Sequence, residues 1–526
     1  MSENSQMVKA AGVVGLGTLG SRILGFIRDM VTAFFFGATD AADAFFVAFT
    51  IPNLLRRLFA EGTMTVAVIP VYTETLIHEG KEEAVRVARI TMTFMAIVLT
   101  VAVLAGILFS PEILTLFAAG FRANAPKWEL TVLLARVMFP YMLLISLAAL
   151  AMGVLNSMGH FFAPSASPML FNLAMILSML VIGPLLNVPV LSLAIGVVIG
   201  GILMLALQVP FLIKKGVTFK PDFNFSHPRV KTILKLMVPA IFGASIYQVN
   251  VVVVRLLASF LPSGSVSYLY YADRLDQFPL GIFAVALGTA VLPTMSRMAA
   301  ENRIDDLKRT FIDALSMTLY ITIPAALGLA ILAVPIISAL FFRGEFDFNS
   351  VVMTANALVF FSIGLPFVAS IRVLSNGFYA LKDTATPVSI GVVAIIVNIL
   401  LSVILVVPLA HCGLALAVSL DAVLNAVLLL MVFRRVMGRL GLKRLFLSIL
   451  RMGVGCLTMA AAAWWIASLI SWDTTGRTTE KAVVLTAAIL GSLFIYLVTT
   501  RLLGSRELGA IVGPFIRRFR NEGEPL

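Results

Sequence analysis

Eight arginines fall inside long apolar stretches of the chain: Arg22, Arg28, Arg56, Arg57, Arg136, Arg255, Arg274 and Arg372. Acidic residues stand in or beside the same stretches: Asp29, Asp43, Glu61, Asp273, Asp276, Asp313 and Asp421. A guanidinium stays charged at any physiological pH and presents a planar fork that fits a phosphate or carboxylate. A set of such groups is anion-binding chemistry, whereas proton pumping draws on Asp, Glu or His chains. Nothing in the chain supplies a covalent or metal-based reaction. The four histidines, His78, His160, His227 and His411, lack metal-ligand spacing. No phosphate loop, dinucleotide fingerprint, zincin motif or nucleophile elbow occurs. Cys412 and Cys456 form no CxxC pair and read as two small buried residues in apolar helices.

The stretches that carry these charges are membrane elements. The 526 residues are 60% hydrophobic and 13% charged, against about 45–50% and about 25% in soluble proteins. Apolar segments of spanning length run at 10–36, 42–71, 90–109, 131–155, 166–186, 189–213, 233–259, 266–296, 311–342, 351–378, 386–408, 411–433, 447–470 and 482–503, about 14 transmembrane helices in all. Pro52 and Pro279 interrupt the second and eighth. Broken helices at membrane depth need protein or a wet cavity to take up the freed backbone groups. The first segment carries Arg22, Arg28 and Asp29 and has no cleavage site, so it reads as a retained helix and not a signal peptide.

Loop charge sets the orientation. With the N-terminus inside, inner loops and ends hold 26 lysines and arginines and outer loops hold 5, which places both termini in the cytoplasm. The net charge of +12 is thereby explained as topology, and no nucleic-acid partner is called for.

A weak internal repeat is visible. Ala67-Val68-Ile69-Pro70 recurs as Ala290-Val291-Leu292-Pro293, a shift of 223. Gly153 and Gly377 are 224 apart, as are Pro184-Leu185 and Pro408-Leu409, and Lys214-Lys215 matches Arg434-Arg435 at 220. The shared shift predicts two related six-helix halves in the same orientation, related by an axis along the membrane normal, followed by two extra helices. The expected division is 1–220, 221–445 and 446–526.

A central arginine costs about 2.5–3.5 kcal/mol on insertion scales, so these eight must face protein or a wet cavity, or snorkel. Arg57, Arg136 and Arg372 fit snorkelling. Arg22, Arg28 and Asp29 share the first helix; Arg22 and Asp29 lie seven apart on one face, with Arg28 about a third of a turn around. Arg56, Arg57 and Glu61 share the next helix. Arg255 and the Asp273-Arg274 pair occupy the corresponding helices of the second half. The pattern predicts an all-α membrane protein whose two lobes bring cationic groups to a central cavity.

The segments SRILGFIRD (21–29), DAFFVAF (43–49), IPNLLRRLFAEG (51–62), YYADRL (270–275) and ALGTAVLP (286–293) closely resemble the bacterial lipid II flippase (MurJ, MviN) family. That family belongs to the multidrug/oligosaccharidyl-lipid/polysaccharide exporter superfamily, and the likeness extends over essentially the whole chain. It implies two six-helix lobes around a cavity and a C-terminal helix pair forming a groove for the polyprenyl tail. It implies transfer of the lipid-linked peptidoglycan precursor from the inner to the outer leaflet of the bacterial inner membrane. The family's functional arginines match Arg22, Arg28, Arg56 and Arg274, and its aspartates Asp43 and Asp273; Asp29 and Arg255 match cavity residues of some members.

The diphosphate is thus expected on Arg22, Arg28, Arg56, Arg255 and Arg274, with Asp29, Asp43, Glu61 and Asp273 balancing charge or gating. No cofactor and no metal are expected. With no ATP-binding module, the drive must be the membrane potential or a monovalent cation gradient. The implied partners are lipid II, membrane lipids and cell-wall synthesis enzymes, with the monomer as working state. A flippase for another undecaprenyl-linked sugar and a multidrug antiporter are the rival readings. The arginines count against the second, since cationic drugs favour acidic or aromatic residues.

Overall fold

The computed structural model describes residues 3–58, 67–218, 220–281 and 285–509. The described residues form helices and connecting turns, with no strand among them. In chain order the helices are α1 Glu3–Phe36, α2 Asp40–Arg56, α3 Ile69–His78, α4 Lys81–Leu108, α5 Ser110–Ala118, α6 Ala125–Ser157, α7 Phe162–Leu177, α8 Leu191–Lys214 and α9 Pro228–Ala258. They continue as α10 Ser265–Pro279, α11 Val285–Ala300, α12 Ile304–Ile331, α13 Ala333–Phe341, α14 Phe348–Ala380, α15 Ala385–Met437, α16 Leu442–Ala467 and α17 Thr478–Leu502. Each of the spans expected from apolar length is mainly helical where it is described, and 311–342 is divided at Leu332. Among the described residues, 9 helices are long and apolar enough to cross a membrane. One of these, α15, has 53 residues, or about 80 Å if straight, far more than one hydrocarbon core of about 30 Å. It breaks at Ala410 (φ 49°, ψ −129°), between the two segments expected there. Gly413 permits the break, because a Cβ on it would run into the Leu405 carbonyl.

The repeat hinted at by short matches governs helix boundaries. Helices α4, α5 and α6 span 81–108, 110–118 and 125–157, and α12, α13 and α14 span 304–331, 333–341 and 348–380. Every one of these ends is displaced by 223. So are the C-termini of α2 and α10, at 56 and 279, and of α8 and α15, at 214 and 437. Local devices repeat with them. Phe109 (φ −94°, ψ 22°) separates α4 from α5, and Leu332 (φ −93°, ψ 15°) separates α12 from α13. Asn124 caps α6 by accepting from the Lys127 N–H, and Asp347 caps α14 by accepting from the Ser350 N–H. A side-chain oxygen at this position satisfies one of the orphan N–H groups of a helix start.

The chain divides into two compact units, Met1–Ser267 and Tyr268–Leu526. In the first, α6 is central and packs on α2, α4 and α8. Helix α9 packs on α3, α4 and α5, so it lies with the first unit. In the second, a core of Phe311, Phe378 and Phe433 ties α12, α14 and α15 together. Phe311 and Phe433 stack with centroids 4.2 Å apart, and a Cβ at Gly377 would press to 2.9 Å from both rings. The pair α16–α17 docks on α12 through Tyr320, Met452, Cys456, Met459 and Tyr496. Two hydrogen bonds hold it: Tyr496 Oη donates to the Tyr320 carbonyl (2.8 Å), and Tyr320 Oη lies 2.8 Å from Thr500 Oγ1. Cys412 and Cys456 are free thiols.

Candidate functional site

The first unit carries most of the expected charged residues. Arg28 and Asp29 on α1 are buried, at 7% and 4% exposure. The Arg28 Nε and Nη2 both donate to Asp29 Oδ1, at 3.0 and 2.7 Å. Its Nη1 donates to Asn172 Oδ1 on α7, at 3.0 Å. Asn172 is itself oriented, since its amide donates to the Ser21 and Pro168 carbonyls. Arg28 therefore sits in a socket made by α1 and α7, with a carboxylate on two of its donors. Residues one apart point about 100° away from each other on a helix. Only a side chain as long as arginine reaches back to such a neighbour. Arg22, nearly two turns earlier, is exposed, and the structure gives it neither a hydrogen bond nor an ion pair among the described residues.

Arg56 closes α2, half-buried, and its Nε donates to Asn53 Oδ1 at 3.1 Å. Arg57 follows it, also half-buried. Glu61 lies outside the described residues. Arg255 on α9 donates from Nη1 to the Val266 carbonyl at 3.3 Å.

The same 264–266 turn is held from the other side by Asp43. This carboxylate is 1% exposed and accepts from the Gly264 N–H (2.8 Å), the Ser267 N–H (2.9 Å) and Ser267 Oγ (2.7 Å). Its remaining lone pair goes to Lys127 Nζ at 2.9 Å. Lys127 is 6% exposed. It also pairs with Asp40 at 2.6 Å and lies 4.1 Å from the centre of the Phe121 ring. Asp43 and Arg255 are thus brought together through the turn they share, while Arg28 and Asp29 form a separate cluster on α1.

Sequence reasoning put Lys127 in an outer loop and missed its role. The available signal was Asn124 three residues before it, a cap placing Lys127 in the first turn of α6. What no local pattern could show is that Asp40 and Asp43, more than eighty residues earlier, wait for its ammonium.

In the second unit, Asp273 and Arg274 are half-buried on α10. Asp273 Oδ2 accepts from Gln277 Nε2 at 2.6 Å. The Arg274 Nη2 donates to Tyr270 Oη at 3.1 Å, and its guanidinium carbon lies 5.1 Å from the centre of that ring. Asp276 is 7% exposed, and its Oδ1 has no hydrogen-bond partner among the described residues. Asp313 pairs with Arg444 at 3.1 Å. Arg136 and Arg372 are exposed on their helices, as snorkelling side chains would be, and Arg136 Nε donates to Ser110 Oγ at 2.9 Å. No group of three or more His, Cys, Asp or Glu with metal-site geometry occurs among the described residues.

A duplicated all-helical membrane scaffold, with paired guanidinium and carboxylate groups buried on otherwise apolar helices, defines a multi-pass membrane transporter. Intramembrane charges are too costly to persist without such a task. The family model described as "Lipid II flippase MurJ" matches residues 32–481. The "Probable lipid II flippase MurJ" of Vibrio cholerae is 38% identical over 518 residues, covering 96% of this chain and 97% of that protein. The "Lipid II flippase MurJ" of Burkholderia cenocepacia is 37% identical, covering 80% and 82%. The solved structure "Lipid II flippase MurJ, inward closed conformation" aligns over 96% of this chain and 99% of its own length, with TM-score 0.77 and 26% identity. An inward-facing multidrug transporter of the MATE family shares the fold, with TM-score 0.67 and 16% identity. The chain belongs to the lipid II flippase MurJ family.

Proposed function

We propose that this protein carries the undecaprenyl-diphosphate-linked peptidoglycan precursor, lipid II, from the inner to the outer leaflet of the cytoplasmic membrane by alternating access. The observation that carries the residue-level reading is the Arg28 socket. A guanidinium fork buried on an apolar helix, oriented by Asn172 and neutralised by Asp29, is an anion site holding an internal anion. A lipid-borne diphosphate takes the place of the Asp29 carboxylate on the same two donors, so the guanidinium is never left without a counter-charge. Arg22, exposed nearly two turns before Arg28 on α1, meets the head group first. Arg56, Arg255 and Arg274 complete the set, and Asp273 and Glu61 balance charge.

Asp43 has a different part. Its four donors make it a clasp on the 264–267 turn, and release of that clasp accompanies the change of access. The moving bodies are the two halves expected from the sequence, 1–220 and 221–445, with α9 carried on the first by its packing against α3, α4 and α5, and 446–526 holding the polyprenyl tail. Both termini face the cytoplasm, and the protein works as a monomer in contact with membrane lipids and cell-wall synthesis enzymes. Moving one negative charge outward across an inside-negative potential of 100 mV gains about 2.3 kcal/mol, so the potential drives an anionic head in the required direction. A monovalent cation gradient is the alternative drive.

The test is lipid II reaching the outer leaflet of cells in which the only copy carries Arg28→Ala. Export should collapse at normal protein level, and Arg28→Lys should restore part of it. Unchanged export by Arg28→Ala would overturn the phosphate role.

A further inference from the structure

The first unit holds a recess that the transported substrate does not explain. A cavity of about 330 Å³ opens between α4, α6, α8 and the segment that follows α8. Its walls are apolar: Met92, Ala96 and Ile97 on α4, Leu147 on α6, Leu205 on α8, and Phe223. Its mouth carries Arg89 and Lys220. Positions 89, 92, 96 and 97 recur at helical spacing, so one stripe of α4 runs from the cation into the apolar interior.

The segment after α8 is fastened in place as the fourth wall. The Asp222 N–H donates to Thr93 Oγ1 at 3.1 Å, and Arg89 Nε donates to the Lys220 carbonyl at 3.2 Å. Phe225 stands edge-on to Phe94 with centroids 5.5 Å apart. These bonds leave the cationic heads largely unspent. The Arg89 Nη2 reaches Asp222 only at 3.6 Å, beyond hydrogen-bond length. Its Nη1 and the Lys220 ammonium have no partner among the described residues. Arg86 adds a third cation beside the mouth, 3.7 Å from the same Asp222. Glu83, the other nearby carboxylate, is bound to His227 at 2.7 Å and lies 3.9 Å from Arg86, so two carboxylates face the three cations. The mouth therefore has a surplus of positive charge and idle N–H donors above an apolar slot.

We propose that this recess binds an anionic glycerophospholipid of the inner leaflet, with its phosphate on Arg89 and Lys220 and an acyl chain against α4. The placement rests on the cytoplasmic orientation proposed above. It does not involve Arg28 or the other charges assigned to lipid II. Basic pockets between transmembrane helices on the cytoplasmic side are where anionic head groups bind. Free phosphate would gain nothing from the apolar walls. A zwitterionic lipid would bring its own ammonium against Lys220 and Arg86.

The test titrates the full-length protein, in neutral detergent, with dioleoyl phosphatidylglycerol, dioleoyl phosphatidylethanolamine or inorganic phosphate, and counts bound lipid by native mass spectrometry. Phosphatidylglycerol should bind about tenfold tighter than phosphatidylethanolamine, and phosphate should not compete at equal concentration. Removing both charges, Arg89→Gln with Lys220→Gln, should weaken phosphatidylglycerol by about 25-fold, at roughly fivefold per charge. Ala96→Phe fills the slot, leaves every charge in place, and should weaken it as well. Melting curves in lipid-free detergent establish that each variant is folded.

Equal binding of the two lipids, or phosphatidylglycerol binding unchanged in both variants, would overturn the site. Loss on charge removal with none on Ala96→Phe would reduce it to surface electrostatics and overturn it equally. Transport of lipid II by the same variants in vesicles is measured separately, so a failed lipid site leaves the flippase reading standing.

Discussion

The two repeats of this chain share a backbone and do not share their charges. Helices 81–108, 110–118 and 125–157 recur 223 residues later with the same ends. Displaced by that shift, however, Arg28 and Asp29 become Val251 and Val252, Arg56 becomes Pro279 and Lys127 becomes Ser350. In the other direction, Arg255 corresponds to Thr32, Asp273 to Thr50 and Arg274 to Ile51. Apolar length, caps and helix breaks are enough to build the scaffold twice. Charges are not needed for it, and each one buried in a helix costs free energy. Their one-sided placement is therefore the mark of work done locally in each half, and substitution at paired positions separates scaffold from function.

The largest contrast should come from Lys127 and Ser350. Lys127→Ala removes one member of a buried ion cluster and leaves Asp43 without its counter-charge, a loss of about 3 kcal/mol or more. Ser350→Ala, at the matching position, should cost well under about 1 kcal/mol. Thermal melting of the two variants in detergent decides this, and equal losses would mean that the cluster carries no special stability.

Next is the Arg28 socket against Val251. Arg28→Ala takes the guanidinium away from Asp29 and should destabilise the fold by about 2 kcal/mol besides abolishing export. Arg28→Met with Asp29→Leu removes both charges and should recover most of the stability while export stays lost. Val251→Ala should leave export intact. If the double variant exports lipid II, the guanidinium is structural only.

The caps sharpen the comparison from the other side, because here the halves should behave alike. Asn124→Ala and Asp347→Ala should each cost about 1 kcal/mol, read as matching falls in melting temperature. A much larger loss in one would show that its cap does more than start a helix.

The smallest effect is a pH dependence at a position where the repeats differ. His160, in the turn after α6, stacks on Phe211 with centroids 4.4 Å apart. Burial, and the nearby Lys215 charge, hold its pKa below the ordinary histidine value. The unfolded chain binds the proton first, so this contribution is present above the unfolded pKa of about 6.5 and is lost as pH falls toward the folded one. Melting temperature should drop slightly from pH 7.5 to 5.5, and His160→Phe should flatten that slope. The corresponding residue, Asp383, contributes no such step in this range.

Much of the architecture was legible in one dimension because a bilayer imposes a length rule. A helix must be apolar for the thickness it crosses, and loops must carry the charge. The break between segments 386–408 and 411–433 and the internal repeat follow from local composition, whereas Pro52, expected to interrupt its segment, lies inside the continuous helix α2. So does the existence of the arginine set, since a charge in an apolar run is conspicuous wherever it points.

What the sequence by itself determined is thus the helical membrane scaffold, its duplication and the chemical class of its ligand. Only the tertiary structure decided that Arg28 is held by Asp29 and Asn172, that Asp43 is a clasp closed by Lys127, and that Arg89 and Lys220 stand over an apolar slot. These pairings join residues 84 to 144 positions apart in the chain or turn on side-chain reach, and a pairwise ion or hydrogen bond leaves no periodic trace in the sequence. Hydrophobic burial sums over many residues and writes itself into composition; a buried charge is satisfied by one or two partners, whose identity the packing alone selects.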